Sequence, residues 1–346
     1  MSEKGLLKDV VIIRPLAIFL LVVWHSFIIY AGGGWSEPES FLPINSYWWI
    51  GKVSYACMLE LFVFISGYVF AHTLQKRQPT FKSIVTNKFR RLIIPSIIFS
   101  VIYYFMFYDL SKFTVPSFLL KILSGCGHMW FLPMLFWTTL IGYIILKESE
   151  RVKIWWYIVL LVLFPILSYL PNTLRISTAF YYTPFFVLGG IVYKYREWWM
   201  SHIQKILCVG SVLCGTILIG LLLERDVFPL YMESSSLLIK GGAYIIAKYV
   251  RLFYSFAGVV FIYSLVNYFL HTKKYSVPNW VININSACFG VYLFQQFILQ
   301  IIYYKTPCPR ILGPYWLPWV GLLTTLVVSY ALTKLCQATK YGKQLM

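Results

Sequence analysis

Apolar residues in this chain fall in long blocks separated by short polar stretches. A membrane-crossing helix needs such blocks, because hydrocarbon offers no partner to an unpaired backbone N–H or C=O. At about 20 mostly apolar residues per crossing, ten blocks qualify, some weakly, at approximately 10–30, 53–73, 92–108, 129–146, 154–170, 179–193, 204–223, 252–270, 281–303 and 317–335. The eighth has the least definite start, since Lys248 and Arg251 lie at its edge and an apolar run from Gly241 allows an earlier beginning. The first, Val10 to Tyr30, is too long for a secretory signal and lacks a small-residue cleavage site, so it is a retained span. Between the second and third blocks, Phe81 to Arg91 alternates apolar and basic residues at roughly helical spacing, which predicts either a helix on the cytoplasmic interface before the chain re-enters at Pro95 or a plain topogenic anchor.

The loops between the blocks differ in charge. One alternate set holds Lys4 and Lys8; Lys76, Arg77, Lys82, Lys88, Arg90 and Arg91; Lys147, Arg151 and Lys153; Lys194, Arg196 and Lys205; Lys273 and Lys274; and Lys334, Lys340 and Lys343. The other set is poor in basic residues and holds Glu37, Glu39, Asp109, Glu224, Asp226 and Glu233. Basic loops stay in the cytoplasm, so both termini are predicted there, which requires an even number of spans. Ten is even. With no linker, repeat or low-complexity tract, the expected fold is all-α: one polytopic transmembrane bundle of about ten helices spanning residues 1–346.

Composition agrees with this reading. The 346 residues are 59% hydrophobic and 12% charged, where a soluble enzyme carries about a quarter charged residues. The formal net charge of +18 is explained by cytoplasmic loops facing anionic headgroups, so the implied partner is a lipid bilayer and not nucleic acid. The chain belongs in a cell membrane, inner or plasma, as a multi-pass protein. Seven cysteines without C-x-x-C spacing indicate neither a disulfide framework nor a metal site, although Cys126 and Cys308 both fall in outer loops where a bridge is possible.

Few residues inside the blocks can do chemistry. Arg14 and His25 share the first span; eleven residues leave them about 20° apart around the helix and about 16 Å apart along it. Arg14 is then near the cytoplasmic end and His25 nearer the outer surface. Ionisable groups at such depth are costly and face the bundle interior or a watered cavity; the alternatives are a snorkelling arginine and a histidine bonding a neighbouring helix. Glu60 is the one acid found inside a block, about seven residues into the descending second span and near the depth of His25. A carboxylate beside an imidazole fixes its tautomer and prepares it to take a proton from a hydroxyl, while a protonated Glu would serve as a helix-to-helix hydrogen bonder. Ser66 and Gly67 bring small residues into the second span, and His128 with Trp130 opens the fourth at the outer face, as a catalytic group or an interfacial anchor. No G-x-x-x-x-G-K-[ST], G-x-S-x-G or H-E-x-x-H pattern occurs.

In order and spacing these residues resemble the integral-membrane acyltransferase 3 family. The resemblance rests on Arg14 to His25; on Glu60-Leu61-Phe62-Val63-Phe64-Ile65-Ser66-Gly67-Tyr68; on Lys88-Phe89-Arg90-Arg91-Leu92-Ile93-Ile94-Pro95; on His128 to Leu132; and on Pro184 to Gly190 and Phe289 to Phe294. One departure is Gln295, which follows Tyr292-Leu293-Phe294 where many members carry histidine. Larger relatives append an extracytoplasmic domain, for which this chain has no room.

The resemblance implies an O-acyltransferase moving an acetyl or other acyl group from cytoplasmic acyl-CoA to a hydroxyl of a surface glycan or its lipid-linked precursor, with no metal. His25 would be the general base, Glu60 its partner and Arg14 a stabiliser of the donor. Arg90, Arg91 and Lys88 would meet the phosphates of coenzyme A. His128, Trp130, Ser66 and Tyr68 would contact the acceptor. A glycan flippase or transporter is the alternative, but it calls for paired broken helices in two related halves, and none is evident.

Overall fold

With the backbone's only partners in the chain itself, the elements of the computed structural model are helices throughout the described residues. The structure describes residues 7–38, 41–147 and 155–345; Lys4, Glu39, Arg151 and Lys153, counted among the loop charges above, lie outside these. In chain order the helices are α1 (Lys8–Phe27), α2 (Asn45–Tyr55), α3 (Met58–Arg77), α4 (Phe81–Lys88), α5 (Ile94–Phe107), α6 (Val115–Ser124), α7 (Phe131–Lys147) and α8 (Trp155–Leu167). They continue as α9 (Ile176–Lys194), α10 (Arg196–Ser201), α11 (Ile203–Leu222), α12 (Phe228–Met232), α13 (Leu237–Asn267), α14 (Asn279–Tyr304), α15 (Cys308–Ala338) and α16 (Lys340–Leu345). Nine helical stretches among the described residues are long and apolar enough to cross a membrane. The chain forms two compact units, Met1–Phe62 with Glu197–Ala338, and Val63–Arg196 with Thr339–Met346.

In the first unit, α1 and α14 run parallel. Tyr303 donates its hydroxyl proton to the carbonyl of Ser26, and at the other end Arg14 lies within electrostatic range of Cys288. Helices α14 and α15 are antiparallel: a Cβ on Gly290 would meet Thr333 at 2.3 Å, and one on Gly321 would meet Leu299 at 3.2 Å. The start of α1 and the end of α15 therefore lie on one side, as the charge pattern requires. Helices α11 and α13 form an antiparallel pair, with Tyr254 passing Gly220 and donating to Glu224 at 2.7 Å. Helix α13 begins well before residue 252, so Lys248 and Arg251 are part of it, and the Arg251 guanidinium lies over the Tyr55 ring at 4.5 Å.

The second predicted span is not one helix. It breaks at Ala56–Cys57, between α2 and α3. A carbonyl released in hydrocarbon needs a donor, and Ser255 of α13 gives its hydroxyl proton to Ala56 at 2.6 Å. Gly258, one turn along α13, leaves room for the Cys57 side chain; a Cβ there would lie 2.7 Å from Sγ.

In the second unit, α5 packs on the turn that leads into α7, with Ser96 donating to the Met129 carbonyl at 3.4 Å and the Cys126 N–H to Ser100 at 3.0 Å, which sets α5 and α7 running in opposite directions. Helices α7 and α9 are parallel: Thr138 donates to Ala179, Gly142 accommodates Phe186, and Gly190 accommodates Leu146. Two parallel helices can follow one another only if the chain between them runs back, so α8 returns between α7 and α9, a shorter apolar helix beside the nine long ones among the described residues. At 13 residues α8 is about 20 Å long, short of the ~30 Å of a bilayer core.

The segment expected on the cytoplasmic interface, Phe81 to Arg91, is helical and runs through a π-turn at Phe89–Ile93 directly into α5. Pro95 has no N–H to continue the α-helical ladder, and the Ile94 N–H reaches five residues back to Phe89.

Candidate active site

Within the first unit, His25 occupies the last turn of α1 and is buried at 7% exposure. Its imidazole stacks on Trp35, with ring centroids 6.2 Å apart and planes 21° off parallel. Trp35 comes from the loop after α1, which turns back at Gly32 and Gly34, both at positive φ where a side chain would be strained. Its indole packs edge-on against Tyr303 and Tyr304, each at 6.0 Å, and the Tyr304 hydroxyl donates to the Ser36 carbonyl at 2.7 Å. The end of α14 thus holds Trp35 beside the imidazole. Arg14, eleven residues down the same face, is half-buried beside α14.

Glu60 is fully buried in the first turn of α3, just past the Ala56–Cys57 break, where N–H groups at a helix start point toward an acid. The break is what makes that start available inside a span. Sequence reasoning placed Arg14, His25 and Glu60 in the interior, and all three belong to the first unit.

The remaining proposed residues belong to the second unit. Arg90 and Arg91 are exposed on the π-turn, while Lys88 is half-buried with its ammonium 5.7 Å from the Phe70 ring centre. Tyr68 is buried and packs edge-on against Tyr193 at 5.2 Å. Tyr193 in turn joins His72 at 2.8 Å and donates to Gln75 at 2.9 Å. Gly67 has a structural duty, since a Cβ would fall 1.9 Å from the Phe186 carbonyl oxygen, and Ser66 beside it is half-buried.

His128 is buried near Tyr103, in a short turn before α7, and Trp130 approaches Tyr182 at 6.3 Å. Tyr182 and Tyr193 are eleven residues apart on α9, so Trp130 and Tyr68 meet that helix about 16 Å apart. The four residues expected at the acceptor therefore occupy two levels. Next to His128, burial pushes the Cys126 thiol up to about 11, with Lys121 and Arg175 drawing it back. It is a thiol, not a thiolate nucleophile, at neutral pH. Cys126 and Cys308 are both free. In the connection before α6, hydrogen bonds from Ser111 hold the Asp109 carboxyl below its ordinary value.

Trp35, Tyr303 and Tyr304 escaped the sequence reading. Their one signal was a tryptophan following three glycines, and interfacial aromatics are too common in membrane proteins for that to single them out.

The family model described as an acyltransferase domain matches residues 8–334. No curated protein and no solved structure matches the chain.

Proposed function

The chain belongs to the acyltransferase 3 family and is a membrane acyltransferase, and from that premise we propose that it carries an acyl group, acetyl in the first instance, from cytoplasmic acyl-CoA to a hydroxyl of an extracytoplasmic or lipid-linked glycan. The observation that carries this reading is the α1 face, with half-buried Arg14 toward the cytoplasmic end and buried His25 beside Trp35 near the other. The ~16 Å between them is about the reach of a pantetheine arm.

In this reading Arg90, Arg91 and Lys88 hold the phosphates of coenzyme A by charge-assisted bonds, and the thioester threads past Arg14 toward His25. His25 takes the proton of the acceptor hydroxyl as its oxygen attacks the thioester carbonyl. The resulting oxyanion collapses, the C–S bond breaks, and the imidazolium returns the proton to the departing thiolate. Glu60 orients the imidazole and steadies its charged form; Arg14 offsets the charge developing on the thioester oxygen. His128, Trp130, Ser66 and Tyr68 are the residues the family resemblance assigns to the acceptor.

The test is acyl transfer by purified protein from radiolabelled acetyl-CoA, read alongside mass spectrometry of surface glycans from cells with and without the gene. An acyl group lost from a glycan on deletion supports the reading. Unaltered glycans, together with no acetyl-CoA turnover, refute it.

A further inference from the structure

Gln295 of α14 and Thr325 of α15 are fully buried, and neither the carboxamide nor the hydroxyl has a hydrogen-bonding partner. For Thr325 this is unusual on its own helix. A hydroxyl in a membrane helix ordinarily satisfies itself on the carbonyl four residues back, as Ser329 does on Thr325 and Thr333 does on Ser329. Thr325 is turned elsewhere. Buried polar groups are nearly always paired, so a pair of orphans in one place calls for a partner that comes and goes.

Their position says what the partner is. The hydrogen bond from Tyr303 to Ser26 sets the register of α1 against α14, and Arg14 lying within electrostatic range of Cys288 at the other end agrees with it. Gln295 is seven residues beyond Cys288, a net rotation of about 20°, so it shares the face turned to α1. The same register sets it opposite Ile18 to Leu21, on the stripe joining Arg14 to His25. It is about 6–10 Å above the level of Arg14 and about 6–10 Å below that of His25. Thr325 lies on the stripe of α15 that carries Gly321 and Thr333, both packed on α14, and comes within about one turn of Gln295.

We infer that Gln295 and Thr325 form a binding site for the amide-bearing arm of a pantetheine thioester, midway between the donor's entry and the base. A primary carboxamide offers donors and an acceptor side by side, which matches the N–H and C=O of a secondary amide; the hydroxyl adds one of either kind. Coenzyme A carries two such amides between its phosphates and its sulfur. This inference rests on the acyl-CoA donor proposed above.

The experiment uses full-length protein purified in detergent as wild type, Gln295→Leu and Thr325→Val. Melting temperature is measured with the affinities for acetyl-CoA and for adenosine 3′,5′-bisphosphate, which keeps the nucleotide phosphates but lacks the arm. Replacing an orphaned polar group by an apolar one of similar shape leaves stability unchanged or raised, so both variants melt at or above wild type. Acetyl-CoA affinity falls about 10-fold in each, the loss expected for one net hydrogen bond, while bisphosphate affinity holds. Wild-type acetyl-CoA affinity in both variants overturns the inference and leaves the donor reading standing. Lowered melting temperature with equal loss of both ligands overturns it in favour of a structural role. A wild-type protein that binds no acetyl-CoA overturns the donor reading, and this inference with it.

Discussion

The imidazole of His25 and the indole of Trp35 lie near-parallel with ring centroids 6.2 Å apart, although one is inside a membrane helix and the other in the loop beyond it. If His25 is the base proposed above, the stack would serve it by restraining the ring plane and by limiting water on the Trp35 side.

His25→Ala should abolish transfer per folded molecule by about 10²- to 10⁴-fold, the usual contribution of a general base, with melting temperature and acetyl-CoA affinity retained. Trp35→Ala should cost at least about tenfold through misplacement of the ring, and Trp35→Phe should recover most of it. Turnover in purified variants, normalised to folded protein, checks both. Near-wild-type turnover in folded His25→Ala would pass the role of base to His128.

Arg90→Ala combined with Arg91→Ala should weaken acetyl-CoA by about 3 kcal/mol or more, two charge-assisted contacts, without changing acceptor affinity. Both side chains are exposed on a π-turn, so the double variant should fold as wild type. Isothermal titration of the purified double variant decides it, and an unchanged donor affinity would remove these arginines from the phosphate site.

Much of this was legible in the sequence because hydrocarbon imposes one rule, and long apolar blocks reveal where it applies. Arg14, His25 and Glu60 could be picked out as charges in such blocks. The Ala56–Cys57 break could not, since residues 53–73 read as one apolar run with no proline, and the partner that seals it, Ser255, is about 200 residues away. The start of α13 was obscured by Lys248 and Arg251, whose charges lower hydropathy; Arg251 is accommodated over the Tyr55 ring, a contact no local pattern encodes. Trp35 was illegible for the same reason, because its role depends on how a glycine-rich loop folds back.

The parallel course of α7 and α9 predicts that α8 crosses the membrane despite its 13 residues. A reporter fused after Lys147 should be cytoplasmic and one fused after Pro171 extracytoplasmic. Two cytoplasmic readings would mean that α8 does not cross, and would leave an odd number of spans.

Burial holds the Cys126 thiol at about 11 against an ordinary value of 9.0. The folded chain keeps a proton that the unfolded chain releases, so this group's contribution to stability is intact below about pH 9 and is lost as pH rises through about 11. The denaturation midpoint should fall over that window more in wild type than in Cys126→Ala. Cys126→Ser should also keep its transfer activity at neutral pH; a large loss would bring back a thiolate intermediate.

The break between α2 and α3 positions Glu60, so damage to it from the far side should reach the chemistry without touching the acid. Ser255→Ala leaves the Ala56 carbonyl buried without its donor, at a cost of about 1–3 kcal/mol, whereas Ser255→Thr keeps a hydroxyl and should lose less. Gly258→Ala brings a Cβ to 2.7 Å from the Cys57 sulfur and 2.8 Å from its Cβ, so the break must shift. Adding Cys57→Gly restores the space, and the pair should be less damaging together than their separate effects predict. Gly241→Ala on the same helix is the control, because nothing lies within 4 Å of its added carbon. Melting temperature and transfer per folded molecule should fall together in Ser255→Ala and Gly258→Ala, and neither should fall in Gly241→Ala. If transfer per folded molecule stays at the wild-type level while the two variants lose stability, the break is only a packing detail and the placement of Glu60 does not depend on it.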